Sequence, residues 1–184
     1  MATMTREEII QTIQDGNSLA DKDLTEADLS YANLKKGNFA GSDLSGAHLQ
    51  NANLEGASLA GAKLTKAFLF GANLMGANLE GANLEGANMQ DSNLESANLQ
   101  KVSAKKVSLF GAQLENANLE EADLSGAKLK RASLDGANLT SANLSGAHLQ
   151  RASLKNANLE NADLTDTNLA NADTSNANMQ GVKQ

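Results

Sequence analysis

Residues 71–90 read GANLMGANLEGANLEGANMQ, four successive units of five residues in which one apolar and one small residue recur. The same register continues in both directions, from residue 22 to the end of the 184-residue chain. Counting from Leu24, every fifth residue through Met179 is a central position, and 27 of these 32 are Leu. Two residues before the centre, Ala stands in 25 of 32 units. A period this short predicts a solenoid, because one unit cannot bury its apolar face without stacking on copies.

The five-residue period excludes the two regular secondary structures. In a helix such a step would rotate successive leucines by about 140°, and in a plain strand it would place them on alternating faces. The pattern instead predicts short extended segments whose small residue and Leu point inward, separated by tight corners of Gly, Asn, Asp and Ser. The sequence contains no proline, which agrees with this prediction because proline cannot donate a ladder hydrogen bond. We therefore predict an all-β solenoid.

The units ADLSY, ANLEG, ANLEN and ADLTD resemble the pentapeptide-repeat family, whose consensus is A(D/N)LXX. This resemblance implies a right-handed quadrilateral β-helix with four repeats per coil and with the Leu and Ala positions inside. Such repeats would form about eight coils and a rod about 38 Å long. The leucines expected in the core include Leu29, Leu49, Leu69, Leu79, Leu109 and Leu139.

The first twenty residues differ from the rest. Thr5 and Glu8 have the spacing of a capping box, and the isoleucines that follow form a narrow apolar stripe, which predicts a helix from about Arg6 to Gln14. We expect a capping helix and lead-in over residues 1–21 and a single β-helix domain over residues 22–184. The helix would cover the open end of the first coil, and a partner-binding helix is the alternative.

Two stretches depart from the repeat pattern. In the last coil Thr167 and Thr174 replace Ala and Leu, which is compatible with a frayed end, a polar self-cap or contact between two open ends. We therefore expect a monomer or an end-to-end homodimer. In Lys101–Val107, Val stands at the small positions and Ala104 at a centre. Compensation of large for small within the core is favoured over a functional kink.

Composition and motifs argue against catalysis. The sequence holds no Cys, no His cluster with metal-binding spacing, no nucleophile motif and no phosphate-binding loop. We predict a protein that is not an enzyme and that has no cofactor and no metal. Without a signal peptide or an apolar stretch long enough to span a membrane, the cytoplasm is the default expectation. The net charge of −7 argues against a nucleic-acid partner.

With four repeats per coil, residues twenty apart stack in columns, and one of the four faces differs from the others. It combines three outward phenylalanines with four basic and two acidic residues, whereas the other three faces are net acidic. We name it the aromatic–basic face. An aromatic patch beside positive charge suits a protein partner with an apolar anchor and an acidic rim. The predicted partner-binding residues are Phe68, Phe70, Phe110, Lys128, Lys130, Arg131 and Arg151.

The leading functional prediction is a non-enzymatic structural and interaction module, a rigid rod that presents flat faces to a protein partner. The alternative, implied by the quinolone-resistance branch of the family, is a DNA mimic that binds a type II topoisomerase such as gyrase. The acidic faces are compatible with that alternative. That branch commonly has Phe at the centre, Cys at small positions and projecting loops, whereas this sequence has Leu at 27 of 32 centres, no Cys and no interruption of the register, which favours the first prediction.

Overall fold

The chain winds into a four-sided coil. The structure is a computed structural model that describes residues 4–184. Residues twenty apart pair in parallel, in a regular series that runs from Asp23 with Asp43 to Asp163 with Lys183. Each extended segment contributes one bridged residue before the chain turns, so the walls are ladders of single bridges. This pairing confirms four repeats per coil and about eight coils.

The corners are formed by the two residues that follow each centre. The second of them has a positive φ in every unit from Asp21 to Gly181, whether it is glycine or a bulkier residue such as Lys101, at 57°. The next N–H closes the turn, as that of Ala77 does on the carbonyl of Leu74 at 2.9 Å. A left-handed third residue in a hydrogen-bonded turn is the type II arrangement, which explains why Gly and Asn crowd this position.

Every backbone N–H of a regular repeat has a partner, as Ala77–Gly81 shows. The small residue donates within the turn, and Asn78 donates to the preceding coil at 2.9 Å. Leu79 and the corner glycine donate to the following coil at 2.7 and 2.9 Å. That leaves the N–H of Glu80, which donates to the side-chain Oδ1 of Asn78 at 3.1 Å. The Asn or Asp before each centre therefore supplies an acceptor that no backbone group provides.

The interior is one continuous apolar column. All central residues from Leu19 to Leu164 are buried, and so are the Ala residues two places before the centres, from Ala27 to Ala162. The predicted core leucines are at most 2% exposed: Leu29, Leu49, Leu69, Leu79, Leu109 and Leu139.

The irregular repeats keep the register. Gly37 stands at a small position beside Phe39, where a methyl group would lie 2.6 Å from the phenylalanine ring, so the larger centre requires the smaller neighbour. In Lys101–Val107 both valines and Ala104 are buried and the bridges continue through the segment. Compensation in the core therefore accounts for this stretch, as predicted.

The last coil is less well covered. The Thr167 hydroxyl donates to the carbonyl of Leu144 at 2.7 Å, whereas Thr174 is exposed. The central residues Leu169 and Met179 are partly buried. The expected monomer or end-to-end homodimer stays a prediction.

Helix α1 spans Arg6–Gln14 and has the predicted capping box, in which Thr5 and Glu8 exchange hydrogen bonds. Ile9 is buried against the first coil, and the other two isoleucines are partly buried there. The Arg6 guanidinium donates to the carbonyls of Asp28 and Ser30 at 2.9 and 2.8 Å. These carbonyls lie on the open edge of the first coil, so the helix covers both the apolar end and part of the unpaired backbone.

Candidate functional site: the aromatic–basic face

The bridges assemble the aromatic–basic face as one ladder along the rod. The residues before the centres form the column Asp28, His48, Phe68, Asn88, Ser108, Lys128, His148 and Asn168. The residues after the centres form a parallel column, which includes Phe70, Gln90, Phe110, Lys130 and Gln150. All seven predicted partner-binding residues therefore lie on one face, in these columns or at its corner.

The aromatic side chains lie outside the core. Phe68 and Phe70 flank one central leucine and are 41% and 43% exposed. The ring of Phe68 stacks on His48 with centroids 4.9 Å apart. Phe110, two coils beyond Phe70, is half-buried, and the Arg131 guanidinium lies 5.9 Å from its ring centroid, in the range of a cation–π contact.

The basic residues of this face have no internal counter-ion. Lys128, Lys130, Arg131 and Arg151 are exposed, and within residues 4–184 none of them forms an ion pair. The wall lysines of the two flanking faces behave differently, since each pairs with a carboxylate one coil away at 2.8–3.5 Å. These paired lysines are Lys35, Lys63, Lys105, Lys155 and Lys183.

The structural Asn or Asp is replaced most often on the aromatic–basic face. It is missing from five of eight repeats there, against two, three and one on the other faces. The replacements are His48, Phe68, Ser108, Lys128 and His148. Where the residue remains it keeps its role, and the Ser30 hydroxyl and N–H that bind Asp28 lower the pKa of that carboxyl.

The opposite face is the most regular one. Its centres run from Phe39 to Met179, and only Ser58 interrupts its column of Asn residues, so we name it the asparagine face. Its amides also bond along the rod, as Asn98 does to Asn78 at 3.1 Å. The column of amides follows from the repeat register, whereas the capping of the repeat's own N–H does not.

A shallow groove of about 540 Å³ opens between the two columns of the aromatic–basic face. Lys128 and Lys130 border its middle, and Phe110 lies on its N-terminal side. Sequence reasoning missed the groove's remaining residues, Gln90, Ser108, His148 and Gln150. Counting departures from Asn or Asp face by face would have drawn attention to Ser108 and His148.

The repeat register and its coiled geometry identify the family. The profile of pentapeptide repeats matches in 8 copies, over residues 16–46, 23–59, 38–76, 72–109, 108–146 and 142–181. The chain belongs to the pentapeptide-repeat family. Its fold is accordingly the right-handed quadrilateral β-helix of that family, with one short helix added at the N-terminal end.

Solved structures of other pentapeptide-repeat proteins match most of the chain. HetL, involved in heterocyst differentiation regulation in the cyanobacterium Nostoc sp. strain PCC 7120, is 31% identical; the match covers 98% of this chain and 94% of HetL, with a TM-score of 0.45. QnrB1, a plasmid-mediated fluoroquinolone resistance protein, is 21% identical over 87% and 84% of the two chains, with a TM-score of 0.49. Rfr23 from the cyanobacterium Cyanothece 51142 is 32% identical over 63% of each chain, with a TM-score of 0.23. A search of curated proteins found no match.

Among residues 4–184, no group of three His, Cys, Asp or Glu side chains is placed to hold a metal ion. Over the same residues, no helix has the length and apolar character needed to cross a bilayer.

Proposed function

We propose that this pentapeptide-repeat protein is a non-enzymatic binding module and that its partner-binding surface is the aromatic–basic face. The observation that carries the proposal is the replacement of the structural Asn or Asp in five of eight repeats on this face, against one to three on each of the others. Each replacement gives up an internal hydrogen bond, and in its place this face presents an aromatic, basic, imidazole or hydroxyl side chain. Residues that cost the fold a bond and point outward favour a role in binding.

The exposed chemistry supports the same surface. Phe68 and Phe70 present two large apolar rings within a single coil, and exposed apolar patches are typical of interaction sites. The neighbouring cations have no ion-pair partner within residues 4–184, so an acidic rim on a partner would neutralise them without breaking a pair seen there. The four-sided coil holds all these groups on one rigid wall, which limits the entropy that binding would lose.

A second candidate function uses the acidic faces of the rod. The asparagine face carries Glu80, Glu120, Glu121 and Glu160, and a flanking face carries Glu55, Glu95, Glu115 and Asp135. A DNA mimic acting on a type II topoisomerase such as gyrase would present these acidic surfaces. The two candidates therefore assign the partner to different faces, and face-specific variants separate them.

The test compares two triple variants. Phe68→Ser, Phe70→Ser, Phe110→Ser removes the aromatic groups, and Glu80→Ser, Glu120→Ser, Glu160→Ser alters three outward wall positions on the asparagine face. Both should keep the fold, because none of the six side chains enters the core; far-UV circular dichroism and thermal melts check this. Pull-down from the native host should recover a partner with the wild type and the Glu variant but not with the Phe variant.

The opposite result would refute the proposal. If the Glu variant loses the partner, or no longer inhibits gyrase in a supercoiling assay in which the wild type does, the acidic asparagine face is the functional one. If both variants retain the partner, neither face is its binding surface.

A further inference from the structure

We propose that the groove on the aromatic–basic face binds an extended acidic peptide segment, whose carboxylates accept hydrogen bonds from unpaired backbone N–H groups of the wall. This inference rests on the proposed function and specifies the chemistry of the partner. The groove lies between the column of Ser108, Lys128 and His148 and the column of Phe110, Lys130 and Gln150.

The first observation is a row of unused backbone donors. In a regular repeat the N–H after the centre donates to the Oδ1 of the Asn or Asp two residues earlier, as Glu80 does to Asn78. Ser108, Lys128 and His148 supply no such acceptor. Among the described residues, no acceptor lies within hydrogen-bond distance of the backbone N–H groups of Phe110, Lys130 and Gln150.

These N–H groups belong to residues that line the groove. In the regular repeats the bond runs toward the side chain of the residue before the centre. Ser108, Lys128 and His148 stand in that place here and accept no such bond, and these three residues also line the groove. An oxygen of an incoming ligand would take the position that Asn Oδ1 occupies elsewhere on the rod.

The protein itself contains a precedent for a carboxylate in this position. On a flanking face Ser153 replaces the structural Asn, and the N–H of Lys155 would lack an acceptor. The Asp135 carboxylate from the preceding coil accepts from that N–H at 3.0 Å and also from the Ser153 hydroxyl. A carboxylate from outside the repeat therefore satisfies this donor, and at the groove none of the described residues does so.

Charge favours a carboxylate over a neutral acceptor. Lys128 and Lys130 border the groove and form no ion pair in the described part of the chain, whereas wall lysines of the flanking faces do. Hydrogen bonds from N–H groups to a carboxylate are strengthened by the charge, and the two ammonium groups would add attraction to it.

A short peptide is favoured over a nucleic acid because of overall charge. The chain carries a net charge of −7, which opposes the approach of a long polyanion more than that of a short acidic segment.

Spacing along the rod defines the segment further. The N–H groups of Phe110 and Gln150 are two coils apart, about 10 Å at the spacing of paired strands. Three residues of an extended chain cover about the same distance, at 3.1 to 3.4 Å per residue. The segment we infer therefore carries acidic residues at every third position.

The experiment uses the full chain and a fluorescein-labelled peptide with Glu at every third position among Gly and Ser. Fluorescence anisotropy should show saturable binding, and the amide resonances of Phe110, Lys130 and Gln150 should shift in heteronuclear NMR spectra. A peptide with Gln in place of Glu should not bind.

The decisive variant restores the internal acceptor. Ser108→Asn should cap the Phe110 N–H from within, raise Tm and weaken peptide binding about tenfold, as expected when one charge-assisted hydrogen bond is lost. Ser58→Asn makes the same change on the asparagine face, where the N–H of Ala60 has no acceptor among the described residues. This matched control should raise Tm without changing peptide binding.

Several outcomes would overturn the acidic-segment proposal. They are unchanged binding by Ser108→Asn, equal weakening by Ser58→Asn, equal binding of the Gln peptide, and tighter binding of a single-stranded oligonucleotide. Shifts of the same amides with rising protein concentration and no peptide would mean that a second copy occupies the groove.

The two proposals fail separately. If the Phe triple variant loses the native partner while the wild type ignores the Glu peptide, the aromatic–basic face remains the binding surface and its partner is not an acidic segment. If the Glu peptide binds in the groove while the Phe variant keeps the native partner, the proposed function fails instead.

Discussion

The aromatic–basic face and the asparagine face enclose the same core and are built from the same kind of bridged ladder. They differ in whether the backbone N–H after the centre has a hydrogen-bond acceptor. On the asparagine face seven of eight repeats supply an Asn acceptor for the N–H after the centre. On the aromatic–basic face only three do, through Asp28, Asn88 and Asn168. The difference shows that the fold tolerates the loss of these hydrogen bonds on one face. The residues before the centres of that face can therefore differ from Asn or Asp and can serve in contacts with a partner.

The largest expected effect on stability is at the central leucines, which are buried in the same way on both faces. Leu79 belongs to the asparagine face and Leu109 to the aromatic–basic face, and both are buried in the dry column. Leu79→Lys and Leu109→Lys should each destabilise the fold by more than about 4 kcal/mol, because an unpaired charge would enter the core. Chemical denaturation measures this, with the outward change Glu80→Lys as a control expected within about 0.5 kcal/mol. Similar values at inward and outward positions would contradict the assignment of sides.

A smaller effect should distinguish the faces. Asn98→Ala removes the acceptor of the Gln100 N–H and the amide bond to Asn78, at 3.1 Å each, and should cost about 1 kcal/mol. Ser108→Ala removes no comparable bond and should change stability by less than about 0.5 kcal/mol. Equal losses in urea denaturation would mean that Ser108 supports the wall after all, and the comparison between the faces would fail.

The smallest effect concerns pH. Amides on the asparagine face do not titrate, whereas a flanking face places Asp163 in the same structural role, where hydrogen bonds from Lys183 and then Thr165 lower its pKa to about 2. The unfolded chain, with an ordinary pKa of 3.8, binds this proton more tightly than the fold does. The stabilisation is therefore complete above about pH 4 and is lost as pH falls toward 2.

Thermal melts between neutral and acidic pH measure this dependence. Asp163→Asn keeps the acceptor for Thr165 but cannot titrate, so its Tm should fall less steeply below about pH 4 than that of the wild type. Parallel acid profiles of the two proteins would show that this carboxylate contributes nothing to acid sensitivity.

The fold was predictable because it depends on residues that repeat. The five-residue register specified the inward pairs, and Thr5 with Glu8 located the start of the helix. Even the exchange at Ala104 followed from volume compensation. Handedness and the number of repeats per coil came from the family resemblance, since the register alone allows any closed coil of short segments and corners.

The candidate site was only partly predictable. Columns of residues twenty apart placed Phe68 and Phe70 together, but they did not show that Arg131 lies over the Phe110 ring or that His48 stacks on Phe68. Those contacts depend on side-chain rotamers. The unused donors were missed because the role of Asn as acceptor for its own repeat becomes visible only when all five N–H groups are traced.

The twenty-residue length of one coil also determines on which face of the rod each surface residue lies. Loss of a single pentapeptide between Phe70 and Phe110 would leave the core pattern intact but would rotate all later residues by a quarter turn, so that the basic cluster would face away from the first aromatic pair. Loss of four pentapeptides would only shorten the rod and preserve the alignment. Insertions or deletions of one whole coil therefore keep the surface residues aligned on their faces. Insertions or deletions of fewer than four pentapeptides would move surface residues to other faces while leaving the apolar pattern of the interior unchanged.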